Sequence, residues 1–144
     1  MTDLSIYHEK ILKLATFNKK SAEIIDYHSA IELKNPMCGD QVNVKIFVEN
    51  KSIKNISAKV RGCALCEASA GLVVKIFKNT QTPVKNFLLD FKDWLNNDFQ
   101  ELNSNVPKEI EVFFPIRTIR NRQTCILMPF EATIKALDDL KLIY

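Results

Sequence analysis

The chain has 144 residues, 47% of them apolar and 26% charged, with a formal net charge of +3. A chain of that length builds one hydrophobic core rather than two, so residues 1–144 are read as a single domain. The charge is too small to imply nucleic acid or an anionic membrane as partner, and no apolar run approaches the roughly 20 residues a bilayer span needs.

Leu4, Tyr7, Ile11, Leu12 and Leu14 recur at helical spacing and predict an amphipathic helix over residues 4–15. Ser21 to Tyr27 reads as a turn of helix or a loop. From Ala30 the period changes. Ile31 and Leu33 alternate with Glu32 and Lys34, a strand that ends at Asn35-Pro36. The clearest strand is Gln41 to Glu49, with Val42, Val44, Ile46 and Val48 on one face and Asn43, Lys45, Phe47 and Glu49 on the other. Asn50-Lys51-Ser52 reads as a hairpin turn. A third strand runs through Ile53, Ile56, Ala58 and Val60, its alternation slipping once between Ile53 and Ile56 as at a bulge, and Gly62 ends it.

Helical spacing resumes at Ala64, where Leu65, Ala68, Leu72, Val73, Ile76 and Phe77 form a wide apolar stripe; Ala70 and Gly71 allow close packing against the sheet. Pro83 opens a further helix whose Val84, Phe87, Leu88, Phe91, Trp94 and Leu95 repeat at three and four. Asn96 to Pro107 is polar, a loop or a short helix around Phe99 and Leu102. Glu109 to Phe114 fits a strand or an extended turn. Pro129 suits the first turn of a last helix that buries Phe130, Ile134, Ala136, Leu137 and Leu140. The order is that of an α+β fold, and neither an internal repeat nor a low-complexity segment interrupts it.

The N-terminal stretch MTDLSIYHEKILKLATF lacks the charged-then-apolar layout of a signal peptide, so a cytoplasmic protein is expected. In a reducing compartment, four cysteines are metal ligands, reactive thiols or buried hydrophobes before they are disulfides. Cys38 falls in the turn Asn35-Pro36-Met37-Cys38-Gly39-Asp40. Cys63 follows the third strand at the start of a helix, Cys66 lies one turn further, and Cys125 stands before the last helix. A thiol at a helix N-terminus gains from the dipole and from unpaired N–H groups. Gly39 permits a turn that aims Cys38 and Asp40 the same way. Taken singly, each cysteine is as well read as a small buried hydrophobe. Cys-Gly-Asp alone is a weak motif.

In combination the segments are specific. NPMCGDQVNV, then RGCALCEASAGL, then a further cysteine before a C-terminal helix resembles the IscU, SufU and NifU N-terminal family of iron–sulfur cluster assembly proteins. The resemblance runs from about Asn35 to the end. It implies a three-stranded antiparallel sheet with helices packed on it, and a ligand set of Cys38, Asp40, Cys63 and Cys125. The 62 positions from Cys63 to Cys125 look like the SufU spacing and exceed that of IscU. Thr124 replaces the histidine that IscU carries before its third cysteine. Phe114-Pro115-Ile116-Arg117 occupies the region of IscU's L-P-P-V-K segment. Phe17-Asn18-Lys19-Lys20 replaces the family's Asn-Pro-Arg-Asn, and Cys66 stands where most members have serine or another small residue. These departures place the chain nearest a divergent SufU-like branch.

The resemblance implies a transient [2Fe–2S] cluster or iron on those four residues, or Zn²⁺ in the same tetrahedral set. It also implies a cysteine desulfurase and apo iron–sulfur proteins as partners. Three function classes follow. One is a scaffold that holds and passes on a cluster. The second is a zinc-dependent sulfur acceptor in which Cys38 takes a persulfide sulfur, and the third is a structural metal-binding domain. Asp40 would tune metal lability. Cys66 is read first as a buried small residue and second as a spare ligand or resolving thiol for Cys63. Arg117, Arg120 and Arg122 are read as a solvated face, with docking of an acidic partner as the second reading. His8 and His28 lie far from the motifs and are not expected to be ligands.

Overall fold

A computed structural model of the protein describes residues 4–79, 84–97, 101–102 and 106–142. In chain order these form α1 (Leu4–Lys20), β1 (Ser29–Lys34), β2 (Gln41–Glu49), β3 (Ser52–Arg61), α2 (Ala64–Phe77), α3 (Val84–Asn96), a 3-10 segment (Lys108–Thr118) and α4 (Arg120–Asp139). The expected start of the third helix at Pro83 and the residues around Phe99 lie outside the described segments.

The strands make an antiparallel sheet in the order β1-β2-β3. Its alternating side chains decide its two faces: Val42, Val44 and Ile46 are fully buried beneath the helices, while their neighbours are half-buried on the other face. β2 turns into β3 through Asn50 and Lys51, both at positive φ. A two-residue loop of that kind matches the right-handed twist of the paired strands. The register slips opposite Phe47 and Val48, which pair with Asn55 and Ile53, so Lys54 is the extra residue of the expected bulge.

Helices α2 and α4 lie on the buried face of the sheet. Gly71 of α2 does not face the sheet as its spacing implied; it faces α1. A Cβ there would come within 2.6 Å of the Leu14 carbonyl oxygen, so the two helices approach at the distance only glycine allows. Beside that crossing, buried Asn18 donates through Nδ2 to the Ala58 carbonyl at 2.7 Å and to the Glu67 carboxylate, which ties α1 to β3 and α2 together. The far side of α2 and α4 is filled by aromatic rings. Phe87, Phe91 and Phe130 meet one another at centroid distances of 5.2–6.3 Å, Phe77 meets Phe87 and Phe130 edge to face and Phe113 stacks on Phe91, so the stripe on α3 is core, as its spacing implied.

Two expectations are corrected. Glu109 to Phe114 is neither strand nor extended turn but part of the 3-10 segment, which buries Ile110, Val112, Phe113 and Ile116. The last helix begins at Arg120, nine residues before Pro129, so Cys125 lies inside it rather than ahead of it. Proline favours a first turn because it has no N–H to give. In α4 the group left without that bond is the carbonyl of Cys125, four residues back. Packing against α2 holds the helix through the interruption: Ser69 of α2 donates from Oγ to the Ile126 carbonyl.

Candidate metal centre

The Cys38 turn is built by Asn35. Its Oδ1 accepts from Met37 N at 3.0 Å, its carbonyl accepts from Gly39 N at 2.8 Å, and its own N–H donates to the Asp40 carbonyl at 2.8 Å. Gly39, at φ +78°, supplies the left-handed step that closes this turn and leaves Cys38 exposed at its tip while Asp40 turns inward. Cys63 is the N-cap of α2. Its backbone is extended and its Sγ accepts from Cys66 N at 3.5 Å, where a serine oxygen would normally sit.

These pieces converge at the end of the sheet. The Sγ atoms of Cys38 and Cys125 are 3.7 Å apart, and with an Asp40 oxygen they form a set whose members all lie within 4.8 Å of one another. Cys63 reaches the set through Asp40: its Sγ donates to Oδ2 at 3.0 Å and its N–H to Oδ1 at 3.2 Å. Three sulfurs and one carboxylate from four separate positions of the chain are thus linked around Asp40. Cys66 is fully buried one turn into α2, in keeping with its reading as a small buried residue. Among the described residues no histidine joins the group.

Burial pushes the Asp40 carboxyl upward, but hydrogen bonds from Cys63, Cys125 and Cys38 outweigh it and hold the pKa below the ordinary carboxylate range. Burial, then the hydrogen bonds to Asp40 and Cys38 and the neighbouring negative charge, push the Cys125 thiol well above its usual value. Burial likewise raises Cys66. Metal-free, the site is therefore a carboxylate surrounded by thiols. A divalent cation bound here would replace the protons that hold the group together, and mixed soft and hard donors of this kind would suit zinc or iron.

The space for Asp40 comes from Gly62, which the sequence marked only as a strand end. A Cβ at position 62 would fall 2.4 Å from Asp40 Oδ1. A second unforeseen feature anchors the start of α4. Arg117 is buried rather than part of a solvated face. Its guanidinium stacks on Trp94 at 4.7 Å and donates to the Asn97 carbonyl. Buried Gln123 donates through Nε2 to the Leu95 carbonyl at 3.0 Å and lies near the Arg117 carbonyl at 3.4 Å. These contacts fix the helix two residues before Cys125. Arginine beside aromatic residues in a sequence signals such a stack only when the fold brings them together.

Residues 6–87 match the family model described as NifU-like N terminal domain. The chain belongs to that family. The match takes in Cys38, Asp40 and Cys63 and stops short of Cys125, whose place rests on the distances above. The family's IscU and SufU branches appear among the relatives. An iron–sulfur cluster assembly scaffold protein IscU from Thermotoga maritima is 22% identical over 132 residues, 92% of each chain. A NifU-like protein (N-terminal) from Brucella abortus has the same fold at TM-score 0.81 and 16% identity, covering 96% of this chain and 98% of that one. A putative iron–sulfur cluster assembly scaffold protein for the SUF system from Fervidobacterium islandicum does so at 0.80 and 23%, covering 94% and 99%. The α+β architecture expected of the family, a three-stranded antiparallel sheet under helices, is the one observed. No helix among the described residues is long and apolar enough to cross a membrane.

Proposed function

We propose that this NifU-like chain is an iron–sulfur cluster assembly protein that binds iron or a nascent [2Fe–2S] cluster on Cys38, Asp40, Cys63 and Cys125 and passes it to apo-proteins. The observation that carries this is the linkage of three thiols around one carboxylate at the end of the sheet. Thiolates hold cluster iron firmly, and a carboxylate in the fourth position is a harder, weaker donor. That mixture suits a cargo that must be assembled and then released. The cargo comes from iron and from sulfur delivered by a cysteine desulfurase.

A second reading is a zinc-dependent sulfur acceptor, and one observation favours it. Cys38 is exposed while Asp40 and Cys125 are buried. A Zn²⁺ on the four residues would keep the inner three in place, and the exposed thiolate is the one able to meet a persulfide on a partner. Attack of the Cys38 thiolate on the terminal persulfide sulfur forms a new S–S bond at Cys38 and returns the donor cysteine as a thiolate.

Reconstitution separates the two. The protein is incubated with a cysteine desulfurase, cysteine, ferrous iron and a thiol reductant, and its absorption spectrum and its transfer to an apo-ferredoxin are followed. A cluster that forms and moves to the ferredoxin supports the first reading. Stoichiometric zinc that resists iron, with faster desulfurase turnover, supports the second. A protein that binds no metal and does not stimulate turnover contradicts both.

A further inference from the structure

Two contacts hold α1 in place against its neighbours. Gly71 of α2 lets the Leu14 backbone come close, and Tyr7 stacks on Phe114 of the 3-10 segment at 5.8 Å. Between these contacts α1, α2 and the 3-10 segment leave a groove of about 590 Å³. That volume is in the range of small-molecule sites. Leu72, in its lining, lies nine residues beyond Cys63, about 14 Å along α2, so the groove is separate from the metal centre.

Its lining is apolar within and cationic around. The buried Leu72 and Val112 and the half-buried Leu14 supply the floor, and Ile6, 49% exposed, adds apolar surface that the protein itself does not cover. Four lysines from three elements line the same groove: Lys10 and Lys13 of α1, Lys75 of α2 and Lys108 of the 3-10 segment. Two of them have partners outside it. Lys13 pairs with Glu9 at 3.3 Å, and the Lys75 ammonium lies 4.6 Å from the centre of the Phe17 ring. Lys10 and Lys108 are exposed and in no ion pair with another described residue. Glu109 and Glu111 are the acids of the lining, so four cations against two carboxylates leave two positive charges. Lysine stems extend an apolar lining while their ammonium groups stay in water.

We infer that this groove binds a small amphipathic anion, an apolar chain ending in a single carboxylate, with the chain on Leu14, Leu72 and Val112 and the carboxylate paired with Lys10 and Lys108. Each half of the ligand answers an observation. The floor needs apolar surface to cover it, and a simple anion would meet only solvent-screened lysines. The two acids on the 3-10 segment repel further negative charge, so a polyphosphate or a nucleic acid fits less well. The inference stands whatever metal or cluster the thiols hold.

Titration of the isotope-labelled full chain with decanoate, followed by amide NMR shifts, tests this. One saturable site is expected, with a Kd on the order of 0.1–1 mM and shifts centred on Lys10, Leu14, Leu72 and Val112. Acetate, the same charge without the chain, and decyltrimethylammonium, the same chain with the opposite charge, should each bind at least about tenfold more weakly. The double variant Lys10→Ala/Lys108→Ala should bind decanoate about three- to tenfold more weakly, with zinc content and melting temperature kept. Lys19→Ala/Lys135→Ala, at two exposed lysines outside the groove, should bind like the wild type. A decyl cation that binds as tightly as decanoate, or a Lys10/Lys108 variant that binds it unchanged, overturns the anion. Acetate that binds as tightly overturns the apolar floor. Shifts centred on Cys38 and Cys125, or no saturable shift by about 5 mM, overturn the groove as the site.

Discussion

Asp40 and Gly62 face each other so closely that a Cβ on Gly62 would lie 2.4 Å from Asp40 Oδ1 and 2.5 Å from its Cγ. The side chain that accepts from Cys63 therefore exists in its position because residue 62 has none. Gly62→Ala should displace the carboxylate, lower zinc affinity about 10- to 100-fold and cost about 1–3 kcal/mol from overpacking. Gly39→Ala meets nothing within 4 Å but must adopt φ +78°, so its cost, about 1–2 kcal/mol, is one of backbone strain. Zinc titration with a competing chelator, alongside urea denaturation of both variants, checks the pair.

The raised Cys125 thiol gives a pH dependence. A thiol whose pKa is higher folded than unfolded adds stability that is present below its unfolded value and is lost as pH climbs towards the folded one. The metal-free protein should therefore weaken in alkali. Metal binding runs the other way, because every thiol that becomes a ligand gives up a proton. Apparent zinc affinity should rise about tenfold per pH unit for each proton released between about pH 6 and 8. Chelator competition across that range reads the slope, and a flat profile would rule out thiolate ligation.

Cys66 and Cys125 are both buried yet should respond differently to substitution. Cys125→Ala removes a donor 3.7 Å from Cys38 and should abolish stoichiometric metal binding. Cys66→Ala should leave metal content intact and cost about 1 kcal/mol through a small cavity. Elemental analysis of the two purified variants decides.

Arg117 is sandwiched by Trp94 and Phe114, with its guanidinium 4.7 and 5.6 Å from the two rings. Arg117→Ala should destabilise the protein by about 2–3 kcal/mol through lost stacking on the two rings and the lost hydrogen bond to the Asn97 carbonyl. Arg117→Lys should recover little, since an ammonium group lacks the planar fork. Equilibrium urea unfolding measures both.

The strands were readable because Val42, Val44 and Ile46 alternate with polar residues and one face is buried; the bulge at Lys54 was visible as a single slip in that alternation. The Cys-Gly-Asp turn was legible because Gly39 and Asn35-Pro36 punctuate it locally. What local pattern could not supply was the start of α4. Pro129 resembles a helix opener, and only tertiary contacts to Ser69, Leu95 and Arg117 carry the helix back to Arg120. The closeness of Gly62 to Asp40 and of Arg117 to Trp94 spans about 20 residues of chain in each case, beyond the reach of any periodicity.

X-ray absorption at the metal edge of the zinc-loaded protein tests the central claim most directly. Cys38, Cys63, Cys125 and Asp40 as one ligand set require three sulfurs at about 2.3 Å and one oxygen at about 2.0–2.2 Å. Four sulfurs, which would bring Cys66 in and leave Asp40 out, or a shell of nitrogen and oxygen alone, would contradict it.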